Sequence, residues 1–449
     1  MKNFILFAAF CLFTSNTGAL ALTYETCEEC LSCGTNCKYT LINGKMTVYG
    51  PSEKNSDGTY INEGQIARLQ FQNNTEITDL EVTGNITHIG YFAFNNATSL
   101  QTVKLTDNLK TMESNIFNGA TNLSSVDFGQ NPQITNFGGA AFKNTNLQSI
   151  TIPDSVTTLV EDFSGVPLKN IEFGENSHLT NISSLGSSQI ESIKIPDSVT
   201  TIGVGGFTYN QYLKSVEFGE NSQLTTISDG AFTAAYNFQS IKIPEGVTTI
   251  GKQAFRFTKV SDFVVPESVT TIGEYAFGNI SSLKSLIVEG ILDENTSSAA
   301  FIEIASNVKI YCKINANCEN KGASTNQIKI YENDKSGAYF VDGEYYATAD
   351  DLINQTKCEG GLTQNCIQKA LEEKAKKLKA KKTVCSDDVE CLNLVIKDYN
   401  GEVIQVGSRS YASLADLFAG KHIPKRIYTI EEAEKLSQKT GNTFRVRYK

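Results

Sequence analysis

SIKIPDSVTTIG, at residues 192–203, returns almost unchanged as SIKIPEGVTTIG at 240–251, and QSITIPDSVTTL (148–159) and VVPESVTTIGEYAF (264–277) are variants of it. KSVEFGENSQL (214–224) and KNIEFGENSHL (169–179) lie between them. The short apolar-alternating runs centre on Lys104, Asp127, Thr151, Glu172, Lys194, Glu217, Lys242, Val264 and Ile287, at steps of 23, 24, 21, 22, 23, 25, 22 and 23. Leu80-Glu81-Val82 fits one step earlier and Val308-Lys309-Ile310 one step later. Phenylalanines keep the same beat at Phe94, Phe117, Phe142, Phe163, Phe207, Phe232, Phe255 and Phe277, with Leu185 filling the gap. A unit this short cannot bury its apolar face alone, so the chain must stack its units into one continuous core.

The physics of a unit follows from one example. In Leu147-Gln148-Ser149-Ile150-Thr151-Ile152, Ile150 and Ile152 share one side of a strand. Pro153 ends the strand by removing a ladder donor. The VTTI segment turns Val156 inward at the next corner, and Phe142 fills the space to the far wall. Eleven parallel strands about 4.8 Å apart predict an array roughly 50 Å long. Strand ends alternate between IP and FG(E/Q)N from Phe128 to Ile243, which points to growth by duplicated pairs.

LxxIxIP followed by SVTTIGxxAF resembles the BspA-like class of leucine-rich repeat, over residues 76–311. SCGTNCKYTLINGKMTVYG (32–50) is similar to the cysteine-glycine and hairpin cap that often precedes such repeats. The resemblance implies a leucine-rich-repeat-like α/β solenoid with a parallel ladder of about eleven strands, an N-terminal disulfide cap and a small C-terminal α+β region. It also implies a surface or secreted protein, with adhesion to host matrix proteins or other microbes as the associated role. It carries over no binding residues, because partners vary widely within the class.

The domain reading is a signal peptide at 1–21, a cysteine-rich cap with a hairpin at 22–75, the array at 76–320 and an α+β region at 321–449. Lys2, the apolar run Phe4 to Phe13 and the small residues of Ala19-Leu20-Ala21 make the signal peptide, too short to span a bilayer. Cys11 falls within it. Cys27, Cys30, Cys33, Cys37, Cys312, Cys318, Cys358, Cys366, Cys385 and Cys391 remain, an even set that in an exported chain favours disulfides. The run CEECLSCGTNC at 27–37 has the spacing of a ferredoxin cluster site, but such clusters are built in reducing compartments, and Lys38 stands where the usual proline would follow. Two disulfides in the cap are the expectation and zinc the alternative, with the pairing open. No cofactor is expected.

Charge separates the two ends. Residues 321–449 carry 21 Lys/Arg against 18 Asp/Glu, and the remainder 18 against 31, so the front of the molecule repels phosphates and nucleic acid is an unsuitable partner. In the C-terminal region, AYFVDGEYYATADDL (338–352) reads as a hairpin turning at Asp342-Gly343 and leading into a helix, and residues 400–417 repeat the idea. Between them CIQKALEEKAKKLKAKK (366–382) is a lysine-rich helix, solvated or weakly drawn to anionic surfaces. Thr429 and Glu432 form a capping box in the last segment.

A partner's place is the outward column of the ladder: Lys104, Asp127, Thr151, Glu172, Lys194, Glu217, Lys242, Val264 and Ile287. Its alternating charges equally suit a solvated sheet face, and Val264 and Ile287 make its end the more apolar patch. No HExxH, GxSxG, P-loop or calcium-loop pattern occurs, and His88, His178 and His422 are isolated in sequence. The expected function is non-catalytic binding of an extracellular protein or glycan, with no membrane span. The alternatives are a structural envelope component held by its C-terminal region and, more remotely, an enzyme using His422.

Overall fold

A computed structural model of the protein describes residues 30–159, 163, 165–186, 188–323, 327–333, 337–384, 404–406 and 409–411. The signal peptide, Cys27, Cys385, Cys391, His422 and the capping box at Thr429 and Glu432 lie outside the described residues.

Ten strands occupy the positions set by the repeat: Asp79–Thr83, Thr102–Lys104, Ser125–Asp127, Ser149–Ile152, Asn170–Phe173, Ser192–Ile195, Ser215–Phe218, Ser240–Ile241, Asp262–Val265 and Ser285–Val288. The eleventh, Lys309–Lys313, sets Tyr311 and not Lys309 opposite Ile287, two residues later than the run Val308-Lys309-Ile310 leads one to expect. Adjacent rungs are parallel and in register, as in Thr151 opposite Glu172 and Lys194 opposite Glu217. Hydrogen-bonded pairing is interrupted after Ser125–Asp127, Asn170–Phe173 and Ser240–Ile241. Side chains alternate as the pleat requires: Ile150 and Ile152 are buried while Ser149 and Thr151 are exposed. The proline after the strand starts a tight turn. Val156, Val199, Val247 and Val269 donate their N–H to the carbonyls of Pro153, Pro196, Pro244 and Pro266 at 3.0–3.1 Å.

Val156 is fully buried, and the residues after it build a second parallel ladder. Thr158–Leu159, Asn181–Ile182, Thr201–Ile202, Thr226–Ile227, Thr249–Ile250 and Thr271–Ile272 form one sheet of two-residue strands. Gly64–Ile66, Ile86–Ile89 and Thr111–Met112 form another near the N-terminus. The threonine ahead of each rung ties it to the one before. Thr180 donates its hydroxyl to the Thr157 carbonyl at 3.0 Å, Thr200 to Thr180 at 3.2 Å, and Thr225 to Thr200 at 3.1 Å.

The third side of each coil is a turn wrapped around one aromatic ring. Phe94 and Phe117 stack at 5.6 Å, Phe207 and Phe232 at 5.2 Å, and Phe232 and Phe255 at 5.3 Å between centroids. Phe163 and Leu185 are buried between the two stacks, and buried Phe71 and Phe301 add a member at each end. Residues two before and two after the ring take left-handed backbone, as at Phe92 and Asn96 around Phe94 (φ 57° and 55°), and at Gln253 and Phe257 around Phe255 (φ 56° and 62°). A chain that reverses twice in five residues cannot continue a right-handed helix. Among the described residues the array is therefore strand and turn, and the helices follow it. This yields a first prediction. Gln253, whose side chain makes no hydrogen bond among the described residues, is expected to gain about 1 kcal/mol of stability as Gln253→Gly, read as a raised urea midpoint.

Hairpins close both ends. Leu31–Gly34, Cys37–Ile42 and Lys45–Tyr49 are antiparallel, and the last of them pairs parallel with Asp79–Thr83 as the ladder's first neighbour. The sequence periodicity stops near Cys312, but the ladder continues for one more parallel rung, Ile328–Asn333, beyond the Cys312–Cys318 disulfide. That rung lacks the Pro-x-x-Val-Thr-Thr segment that follows four of the others and the Phe that recurs between them. Tyr339–Val341 and Glu344–Tyr346 then add antiparallel strands joined at Asp342 (φ 49°) and Gly343 (φ 88°), the turn expected from the sequence. Helix α1 (Ala349–Ile353) starts at Thr348, whose capping box with Asp351 satisfies its first amides.

Candidate functional site

The outward column is exposed at Lys104, Asp127, Thr151, Glu172, Lys194, Glu217 and Lys242. Its apolar end is not a surface patch. Val264 is half-buried, and Ile287 is fully buried beneath Tyr331, Tyr339, Val341, Tyr346 and Leu352. The C-terminal hairpin and α1 lie over these rungs, so the change from charged to apolar residues marks the footprint of the chain's own next element. The exposed part of the column ends at Lys242.

Its charges are arranged differently at the two ends. Glu81 sits between Lys45 at 3.2 Å and Lys104 at 3.5 Å. Partial burial opposes the Glu81 charge, but the two ammonium groups outweigh it and hold the carboxyl below its ordinary range. Glu172 is held by its own strand and neighbour, accepting from Asn170 Nδ2 at 3.0 Å and Thr151 Oγ1 at 3.5 Å. Among the described residues Lys194, Glu217 and Lys242 form no ion pair. The alternation in sign expected to pair across the sheet therefore leaves three charges directed at solvent.

The lysine-rich helix α2 (Gln364–Val384) is not simply solvated. The Cys358–Cys366 disulfide fixes its start, and Cys366 and Ala370 are buried. Lys369 Nζ meets Asp351 Oδ1 at 2.7 Å. Lys377 Nζ lies 2.6 Å from both carboxylate oxygens of Glu289, and the Tyr339 hydroxyl donates to the same carboxylate. Burial lowers the Lys377 pKa, but Glu289 and Glu245 outweigh it and keep the ammonium above its ordinary value. Burial and then Glu289 push the Tyr339 hydroxyl well up. Lys374 also has an interaction within the chain, so three lysines of this helix are taken up internally and less charge is left for an anionic surface. The helix overhangs the sheet. Glu373 and Lys377 face Glu217, Phe218, Ile241 and Lys242 across a groove of about 790 Å³.

The cysteine run at the N-terminus resolves into disulfide chemistry. Cys33 and Cys37 are bonded to each other and buried against the first coil, and Cys30 is disulfide-bonded as well. These sulfurs are not thiolate ligands. His88 Nε2 pairs with Glu113 Oε1 at 3.5 Å, and His178 Nδ1 lies 3.1 Å from the Asp154 carbonyl. Each contact joins neighbouring coils. Among the described residues no group of three or more His, Cys, Asp or Glu is placed to hold a metal, and no helix is long and apolar enough to cross a membrane.

The pattern of the BspA type leucine-rich repeat region matches residues 64–185 and 180–305, in six copies. Solved structures similar to this chain include a leucine-rich repeat protein from Bacteroides ovatus, 20% identical, covering 66% of this chain and 98% of that one with a TM-score of 0.31. The pneumococcal vaccine antigen PcpA is 19% identical, with coverage of 66% and 99% and a TM-score of 0.36. A leucine-rich repeat protein from Eubacterium ventriosum is 19% identical, with coverage of 67% and 92% and a TM-score of 0.35. No curated protein matches the chain.

Proposed function

The chain belongs to the BspA-type leucine-rich repeat family, and from that premise we propose that it is an exported, non-catalytic adhesion or interaction protein acting at a cell surface. Its partner is an extracellular protein or glycan met on the array. The observation that carries this reading is the sheet face from Lys104 to Lys242, seven successive exposed side chains along the ladder. The unpaired charges of Lys194, Glu217 and Lys242 give that face a pattern for recognition, since charge complementarity sets orientation and on-rate more than raw affinity.

The test is binding to extracellular matrix proteins and to co-resident microbial cells, with a Lys194→Glu, Glu217→Lys, Lys242→Glu variant alongside. The unaltered protein should bind at least one of these surfaces saturably, and the variant should lose tenfold or more. Stability should change little, because each exposed substitution is worth about 0.5 kcal/mol or less. Absence of saturable binding to every surface offered would sink the adhesion reading.

A further inference from the structure

We propose a second binding site, for a short neutral oligosaccharide, in a notch on the turn edge of the array. Its origin is a count of residues. Leu123 lies six positions after Phe117, and Leu213 six after Phe207. Between them three consecutive coils are one residue shorter: Leu147 lies five after Phe142, Leu168 five after Phe163, and Ile190 five after Leu185. A single short turn also occurs from Phe255 to Val260, but full-length turns flank it on both sides. Three short turns in succession leave an open groove of about 820 Å³ whose floor runs along the array for three rungs, about 15 Å. Thr121 stands at one end, and Tyr209 and Tyr212 at the other.

The lining specifies the ligand class. Among the described residues no charged side chain lines the groove. Beside the groove, Lys214 and Glu191 neutralise each other at 2.7 Å, and the exposed Lys169, which follows the middle short turn, is not part of the lining. The polar groups are amides and hydroxyls. The side chains of Asn146, Gln189 and Gln211 line the groove and make no hydrogen bond within the protein among the described residues. An amide offers both donors and an acceptor, which matches hydroxyls that do both. Tyr209 is 65% exposed and Tyr212 47%, large aromatic faces left in water beside those amides. A tyrosine presents an apolar face and a polar tip at low cost in conformational entropy, and it suits a ring with C–H groups on its face and hydroxyls on its rim. Among the described lining residues an anionic ligand would find no cation, and a peptide would find no deep apolar pocket for an anchor. The Asn210 side chain below is already committed to Ser188 Oγ at 3.1 Å and to the backbone amides of Tyr212 and Leu213 at 2.9 Å. It fixes the tyrosine-bearing turn and leaves the amides at the rim open.

This site goes beyond the sheet-face reading and does not depend on it. The test is a panel of neutral oligosaccharides built from hexoses and N-acetylhexosamines, with sulfated and sialylated counterparts, against the full chain. At least one neutral oligosaccharide should bind saturably. Tyr209→Ala with Tyr212→Ala should weaken it tenfold or more, and Gln189→Glu should weaken it without removing an aromatic face. The charge-swapped sheet-face variant should bind it as the unaltered protein does. Thermal melts of the tyrosine variant should match the parent, since both rings are exposed. Binding only to the anionic glycans, binding indifferent to both sets of groove variants, or no glycan binding at all would each overturn the proposal.

Discussion

Phe232→Ala is expected to lower the unfolding free energy by about 3–5 kcal/mol. The ring is fully buried and packs against Phe207 at 5.2 Å, Phe238 at 4.8 Å and Phe255 at 5.3 Å. Truncation removes its transfer energy and leaves a void that stacked coils cannot collapse without breaking register on either side. Phe232→Leu should cost far less, because the column already accepts Leu185 at an equivalent place. Urea titration followed by circular dichroism reads both. In a nearest-neighbour array the Ala variant should also weaken coupling between the two halves, so its transition should broaden or split. A loss below about 1 kcal/mol would mean that the aromatic column fills space without holding the coils together.

Lys377→Met is expected to cost about 3 kcal/mol, at the low end for breaking a buried ion pair because the lysine is a quarter exposed. The Glu289 carboxylate, only 6% exposed, would be left with the Tyr339 hydroxyl as its remaining donor. Adding Glu289→Gln removes that charge and keeps an acceptor for Tyr339, so the double variant should regain most of the loss. Hydrogen exchange over α2 and the C-terminal hairpin is the measurement, with the array's own amides as internal control. The pH dependence has a defined sign. The folded Lys377 pKa is raised above its unfolded value of about 10.4, so its contribution is fully present below that pH. It is lost as the pH rises through the higher folded value. Helix docking should therefore hold at neutral pH and fail only in strong alkali. Equal protection in the single variant and the parent would contradict this role for the pair.

What the sequence disclosed was whatever repeats or is local. The beat placed ten rungs, Val156 turned inward as expected, and Asp342-Gly343 marked its hairpin. The Thr-Ile ladder was hidden because two residues cannot show a period of two. The rung at Ile328–Asn333 was hidden because it carries none of the repeat's turn residues. The docking of α2 rests on a contact between residues 88 apart in the chain, which no local pattern encodes. Ile287 gave a readable signal with the wrong interpretation. An outward column that changes from Lys and Glu to Val and Ile, followed by Tyr311 and Tyr331, marks a covered face as readily as a sticky one. The notch was countable from the start, as a missing residue in three successive turns.

The hairpins at the two ends have a consequence for how such a chain can vary. A parallel stack has two open faces, each a template that a second molecule could extend, and here antiparallel strands turn both aside. Everything between them is interchangeable in kind. A lineage could insert or delete a pair of coils in the middle, changing the reach of the molecule by about 10 Å a time, while neither terminus registers the difference. Length thus becomes an adjustable character, and the turn edge becomes a place where loss of one residue per coil can carve a new recess without disturbing the stack.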